Sequence, residues 1–173
     1  MNYFKDIYLI DAIALAKELR NGTFSEFRAI KHLIVGMILG GIGFKVPISV
    51  EWGKDSIDAA DMLSGVIMFL LTGIITYYGV WLVHQVNGKG DGKDFFFRFA
   101  ALTLPIGVRL SIIFLVVSLV LLVLAKALTT QLGANGSVVT QLLFYAATLA
   151  FTMMFFLRMR NYIAIAAGVG EKP

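Results

Sequence analysis

The stretch from Asp94 to Leu128 constrains the chain most, because its only charges are Asp94, Arg98, Arg109 and Lys126 and the remainder is almost wholly apolar. Such a run is stable only inside a lipid bilayer. As one helix it would extend roughly 50 Å, whereas the hydrocarbon slab is about 30 Å thick, so it exceeds a single straight span. Pro105 removes a backbone donor and crowds the preceding turn. The expectation is therefore a Pro-kinked short interfacial helix over Phe95 to Leu104, followed by a crossing from Ile106 to Leu128.

Composition agrees with a membrane chain. Of 173 residues, 58% are hydrophobic and 15% charged, against about 25% charged in soluble domains. Short loops between spans leave no room for an extramembrane domain of ordinary size. With no cysteine, thiolate catalysis, disulfides and iron–sulfur clusters are excluded. The net charge of +4 falls mostly at membrane edges, which points to anionic lipid as partner and away from nucleic acid.

The predicted architecture is an all-α integral membrane protein with four transmembrane helices and an N-terminal interfacial helix. Residues 1–22 form that first unit, closed by Asn21-Gly22, a pair suited to a left-handed helix end. Its apolar run resembles a signal peptide, but Asp11 interrupts it and Asp6 offsets Lys5. Asp11 and Glu18 lie seven residues apart, on one helical face. They are read either as solvated or as docking onto a basic element of the bundle. Thr23-Phe24-Ser25-Glu26 matches a capping box that opens the next helix.

The transmembrane domain, residues 23–173, carries spans at about 30–50, 62–83, 106–128 and 138–157. The second and third are joined by the glycine-punctuated loop Asn87 to Asp94, with Asp94 placed to cap the third. Lysines and arginines cluster before the first span (Lys5, Lys17, Arg20, Arg28, Lys31), in that loop (Lys89, Lys93, Arg98) and at the end (Arg158, Arg160, Lys172). The opposite side has Lys45, Lys54 and Lys126. The positive-inside rule then puts both termini in the cytoplasm of a bacterial-type inner membrane.

Small residues supply the packing signals. Gly36 and Gly40 share a face of the first span, Gly65, Thr72 and Gly79 repeat at heptad spacing on the second, and Ala146 and Ala150 lie on the fourth. These faces serve contacts within one chain or between chains. Arg109 is the charge set deepest in an apolar span, where an unpaired charge costs several kcal/mol. Three readings stand: it snorkels to headgroups, pairs with Asp11 or Glu18, or forms an anion or proton site.

His32 and His84 fall at the same ends of the first two spans and are the candidate ligands for a bis-His haem, although no further ligand accompanies them. No cofactor and no metal are expected. Gly88 to Lys93 lacks the spacing of a phosphate loop. Phe95, Phe96, Phe97 and Phe99, with Tyr77, Tyr78 and Trp81, form an aromatic rim at the inner interface.

Without a nucleophile–base set, HExxH or paired intramembrane carboxylates, catalysis is not expected. The reading is a small polytopic membrane protein acting as a non-catalytic accessory or scaffold subunit. Its partners would be other membrane-protein subunits or itself. The alternatives are an oligomeric pore or small-solute transporter lined by Thr72, Thr76, Ser111, Ser118 and Arg109, and a haem-bearing redox subunit.

Overall fold

The computed structural model describes residues 7–43 and 59–169, and these form five helices with no strand among them. They are α1 Ala12–Arg20, α2 Glu26–Gly43, α3 Ala59–Lys89, α4 Phe95–Leu132 and α5 Ala134–Ala166. Three of them, α3, α4 and α5, are long and apolar enough to cross a membrane. The protein is thus a helical multi-pass membrane protein. The predicted first span is described only as far as Gly43, and its remainder falls in residues 44–58, outside the described residues.

The long helices pack in the order α2–α4–α5–α3, with α1 laid against α4 and α5. This is an open row. Helices α3 and α5 run parallel: Gly79 meets the Phe156 ring, and Gly90 meets Ala167, the same sequence offset eleven residues on. Any Cβ at Gly79 would enter that ring, so the small residue is required there. Helix α4 runs antiparallel to α5, with Phe114 edge-on to Phe151 at a centroid distance of 4.7 Å and Gly136 against the Leu128 carbonyl. Helix α2 runs parallel to α4, placing Gly36 beside Leu104 and Phe24, just ahead of α2, beside Phe97.

Pro105 does not divide α4. The helix is continuous from Phe95 to Leu132 with the proline inside it, so the separate short interfacial helix is corrected to one long helix. A proline frees a single carbonyl and crowds one turn. Pro105 is fully buried, with Leu104 and Ile106 buried on either side of it, and this packing holds the turn together.

The chain entering α2 also differs from the capping-box pattern. The Thr23 hydroxyl donates to the Glu18 carbonyl at 3.3 Å and so serves the end of α1. Helix α2 starts at Glu26, with the Ser25 carbonyl accepting from Arg28 and Ala29. Asn21 and Gly22 do close α1, with Gly22 at φ +67°. Asp94 holds the cap position of α4 in the left-handed region, φ 47°, with no side-chain bond to the helix.

Every large buried side chain lies toward one end of the row. Leu15, Leu102, Met159, Ile163 and Val83 are fully buried there, joined by Phe24, Leu104, Ile106 and Tyr162. Each such aliphatic side chain contributes roughly 1.5–3 kcal/mol when removed from water. From Ser111 to Leu132, by contrast, no residue of α4 is buried. With 38 residues α4 is about 57 Å long, so about half of it must project beyond the hydrocarbon. The packed half is the one whose interior carries polar groups, among them Asn87, Arg98 and His32. The open half presents the apolar surface that lipid or another helix must cover.

Candidate functional site in the packed half

Two polar networks tie the packed half together. In the first, Glu18 of α1 accepts from the Tyr8 hydroxyl at 2.7 Å and from Arg28 Nη1 of α2 at 2.8 Å. The Arg28 guanidinium also lies over the Phe24 ring, 4.7 Å from its centroid. The acidic face of α1 thus docks onto a basic element, with Glu18 as the docking residue. Asp11 has a local task, accepting from the Ala14 amide at 2.9 Å as the N-cap of α1.

His32 stands at the centre of this network and is fully buried. Its Nε2 accepts from the Tyr8 amide at 2.9 Å, which leaves Nδ1 as the protonated nitrogen, donating to the Arg28 carbonyl at 2.8 Å. Burial pushes its basicity below the ordinary value of 6.5. His84 lies elsewhere, exposed on α3 and edge-on to Phe95 at 5.0 Å. Because α2 and α3 occupy opposite edges of the row, the two imidazoles are not brought onto facing helices, and both nitrogens of His32 are already engaged.

The second network closes the α3–α4 loop. Arg98 is 4% exposed and donates through both terminal nitrogens to Asp91, at 2.5 and 2.6 Å, and to Asn87 Oδ1 at 3.0 Å. Asn87 in turn donates to the Lys93 carbonyl, and the Asp91 amide donates to Ala167 at the end of α5, 3.1 Å away. The fork holds the Asp91 carboxyl below its usual range. Arg98 enters the sequence reading only as one of the positive charges of the loop. An Asp seven residues ahead of a helix-borne Arg, across a glycine turn, is the signal that finds this pair.

Arg109 pairs with neither Asp11 nor Glu18. With Pro105, Ile106, Leu110 and Ile113 of α4 it lines a shallow open recess of about 20 Å³, bordered by Ile10 and Ala12 at the start of α1 and by Arg158 and Tyr162 of α5. Among the described residues no hydrogen bond or ion pair engages Arg109 or Arg158. From Arg109 to Lys126 is about 26 Å along α4, close to the depth of the hydrocarbon. Arg109 stands at the level where burial along α4 ends, and Tyr77, Tyr78 and Trp81 are exposed around the matching level of α3, next to Gly79.

The remaining small-residue positions divide. Gly36 sits 3.8 Å, by its would-be Cβ, from Leu104, whereas Gly65 has nothing near it and Thr72 is half-buried. The surroundings of Gly40 lie outside the described residues. Thr72 and Thr76 are on α3, and Ser111 and Ser118 on α4, so α5 separates the two sets within one chain. Among the described residues no group of three or more metal-binding side chains occurs. Comparison with protein families, curated proteins and solved structures finds no match.

Proposed function

We propose that the protein is a non-catalytic accessory or scaffold subunit of a bacterial-type inner membrane, which recruits a partner membrane subunit through the outer edge of its packed half. The observation that carries this is an apolar stripe on α2. Phe27, Ile30, Ile34 and Ile38 recur at spacings of three and four residues and are all exposed. The offset fixed by Gly36 and Leu104 puts Ile34 and Ile38 level with Leu102 and Ile106, on the packed side of Arg109. We take the packed half to stand outside the hydrocarbon, where an apolar stripe left in water marks a surface made for another chain.

The open row supports the same reading, since α2 and α3 each leave a flank for a neighbour. The bias of lysine and arginine toward the packed half supports a cytoplasmic position for that half and the recruitment surface with it. Gentle extraction of a tagged chain from native membranes, followed by particle mass and identification of what accompanies it, tests the proposal. A stoichiometric partner lost on Ile30→Asp/Ile34→Asp, with the monomer still folded, is expected. A lone monomer contradicts it, and a homo-oligomer without other subunits moves the reading to a pore.

A further inference from the structure

The recess between α4, α5 and the start of α1 joins features that neither the fold nor the recruitment surface requires. Arg109 and Arg158, both exposed, border one open recess whose lining includes no carboxylate. Like charges brought to one site repel, and a shared anion whose oxygens receive the paired guanidinium donors relieves that repulsion. The rest of the lining has two characters. Tyr162, one turn beyond Arg158 on the packed side, is a phenol able to donate. Ile106, Leu110 and Ile113 descend α4 from the packed side past Arg109 toward the hydrocarbon.

We infer that this recess is a binding site for the headgroup phosphate of an anionic phospholipid, with Arg109 and Arg158 as the phosphate clamp and Ile113 at the start of the acyl-chain path. The level of the site supports the lipid source. Arg109 stands about 26 Å from Lys126, so the clamp lies where a bilayer places its phosphates. A negatively charged headgroup suits two clustered cations, whereas a choline headgroup would bring a third positive charge beside them. Bound there, the lipid would bridge α4, α5 and α1, and would fix the start of α1 against the membrane surface.

Purified protein in a mild nonionic detergent tests this by titration with short-chain phosphatidylglycerol, short-chain phosphatidylcholine and inorganic phosphate, with binding read from intrinsic fluorescence and thermal midpoint. Saturable binding of phosphatidylglycerol is expected, at least tenfold tighter than phosphatidylcholine, and weakened at least tenfold in Arg109→Gln/Arg158→Gln. Lys126→Gln, at the far end of α4, is expected to leave it unchanged. Should the double variant fail to fold, Arg109→Lys keeps the charge, loses the fork, and is expected to weaken binding threefold or more. Equal affinity for the two lipids, unchanged affinity in the Arg109 variants, or an equal loss in Lys126→Gln overturns the site. Inorganic phosphate binding as tightly as phosphatidylglycerol overturns the lipid assignment in favour of a soluble anion.

Discussion

Along α4 the segment Phe95–Leu110 buries Arg98, Ala101, Leu102, Leu104, Pro105, Ile106 and Leu110, while the more hydrophobic segment beyond it buries nothing. The difference follows from solvent. In the packed half, water drives apolar side chains together and forces each buried polar group to find a partner, as Arg98 and His32 do. In the open half, lipid tails are as apolar as leucine, so helices are held by close contacts at a few places, such as Gly136 against Leu128. A hydrophobic residue is thus evidence of a core at one end and only of a membrane-facing surface at the other.

The sharpest way to break this comparison is to remove a polar partner from the packed half. Asp91→Ala leaves the Arg98 guanidinium buried with only Asn87 to receive it, and is expected to cost about 3 kcal/mol in thermal or denaturant unfolding. Ser64→Ala, which removes a 3.2 Å contact with Tyr145 in the open half, is expected to cost under about 1 kcal/mol. Next comes Gly79→Ala, which drives a methyl into Phe156 and should lose about 2 kcal/mol. At Gly65, with open space around it, the same change should be neutral or gain up to about 1 kcal/mol from helix propensity.

A smaller effect sharpens the role of burial. The folded state holds His32 neutral, so the unfolded chain takes up a proton first. Stability from this residue is complete above about pH 6.5 and declines as the pH falls below it. His32→Gln should flatten that limb of the pH–stability curve. Smallest of all, Phe69→Ala on the open half, where the ring is 78% exposed, should change unfolding in detergent by less than about 0.5 kcal/mol.

The sequence makes the membrane portions of α3, α4 and α5 legible, since length and hydropathy suffice to identify them. Their true extents were less accessible. Hydropathy ends the second and fourth spans at Val83 and Leu157, yet α3 continues to Lys89 and α5 to Ala166 because Val86, Met159, Ile163 and Ala166 pack in the buried core. Arg158 reads as a stop at the membrane edge; only the antiparallel register of α4 and α5 sets it beside Arg109. Pro105 reads as a break because its local cost is plain in sequence, while the burial that offsets it depends on distant residues. The ring nitrogens of His32 were likewise unreadable, since Tyr8 reaches Nε2 from 24 residues away.

The chain has no cysteine, which suits it to single-cysteine labelling in sealed membranes, the most direct test of the division at Arg109. Phe96→Cys, on an exposed position of the packed half, and Val116→Cys, exposed midway along the open half, would be treated with a membrane-impermeant maleimide applied from each side. The expected result is labelling of Phe96→Cys from one side only and none of Val116→Cys from either. Protection of Phe96→Cys from both sides, or ready labelling of Val116→Cys, would contradict the division into a projecting packed half and a lipid-facing open half.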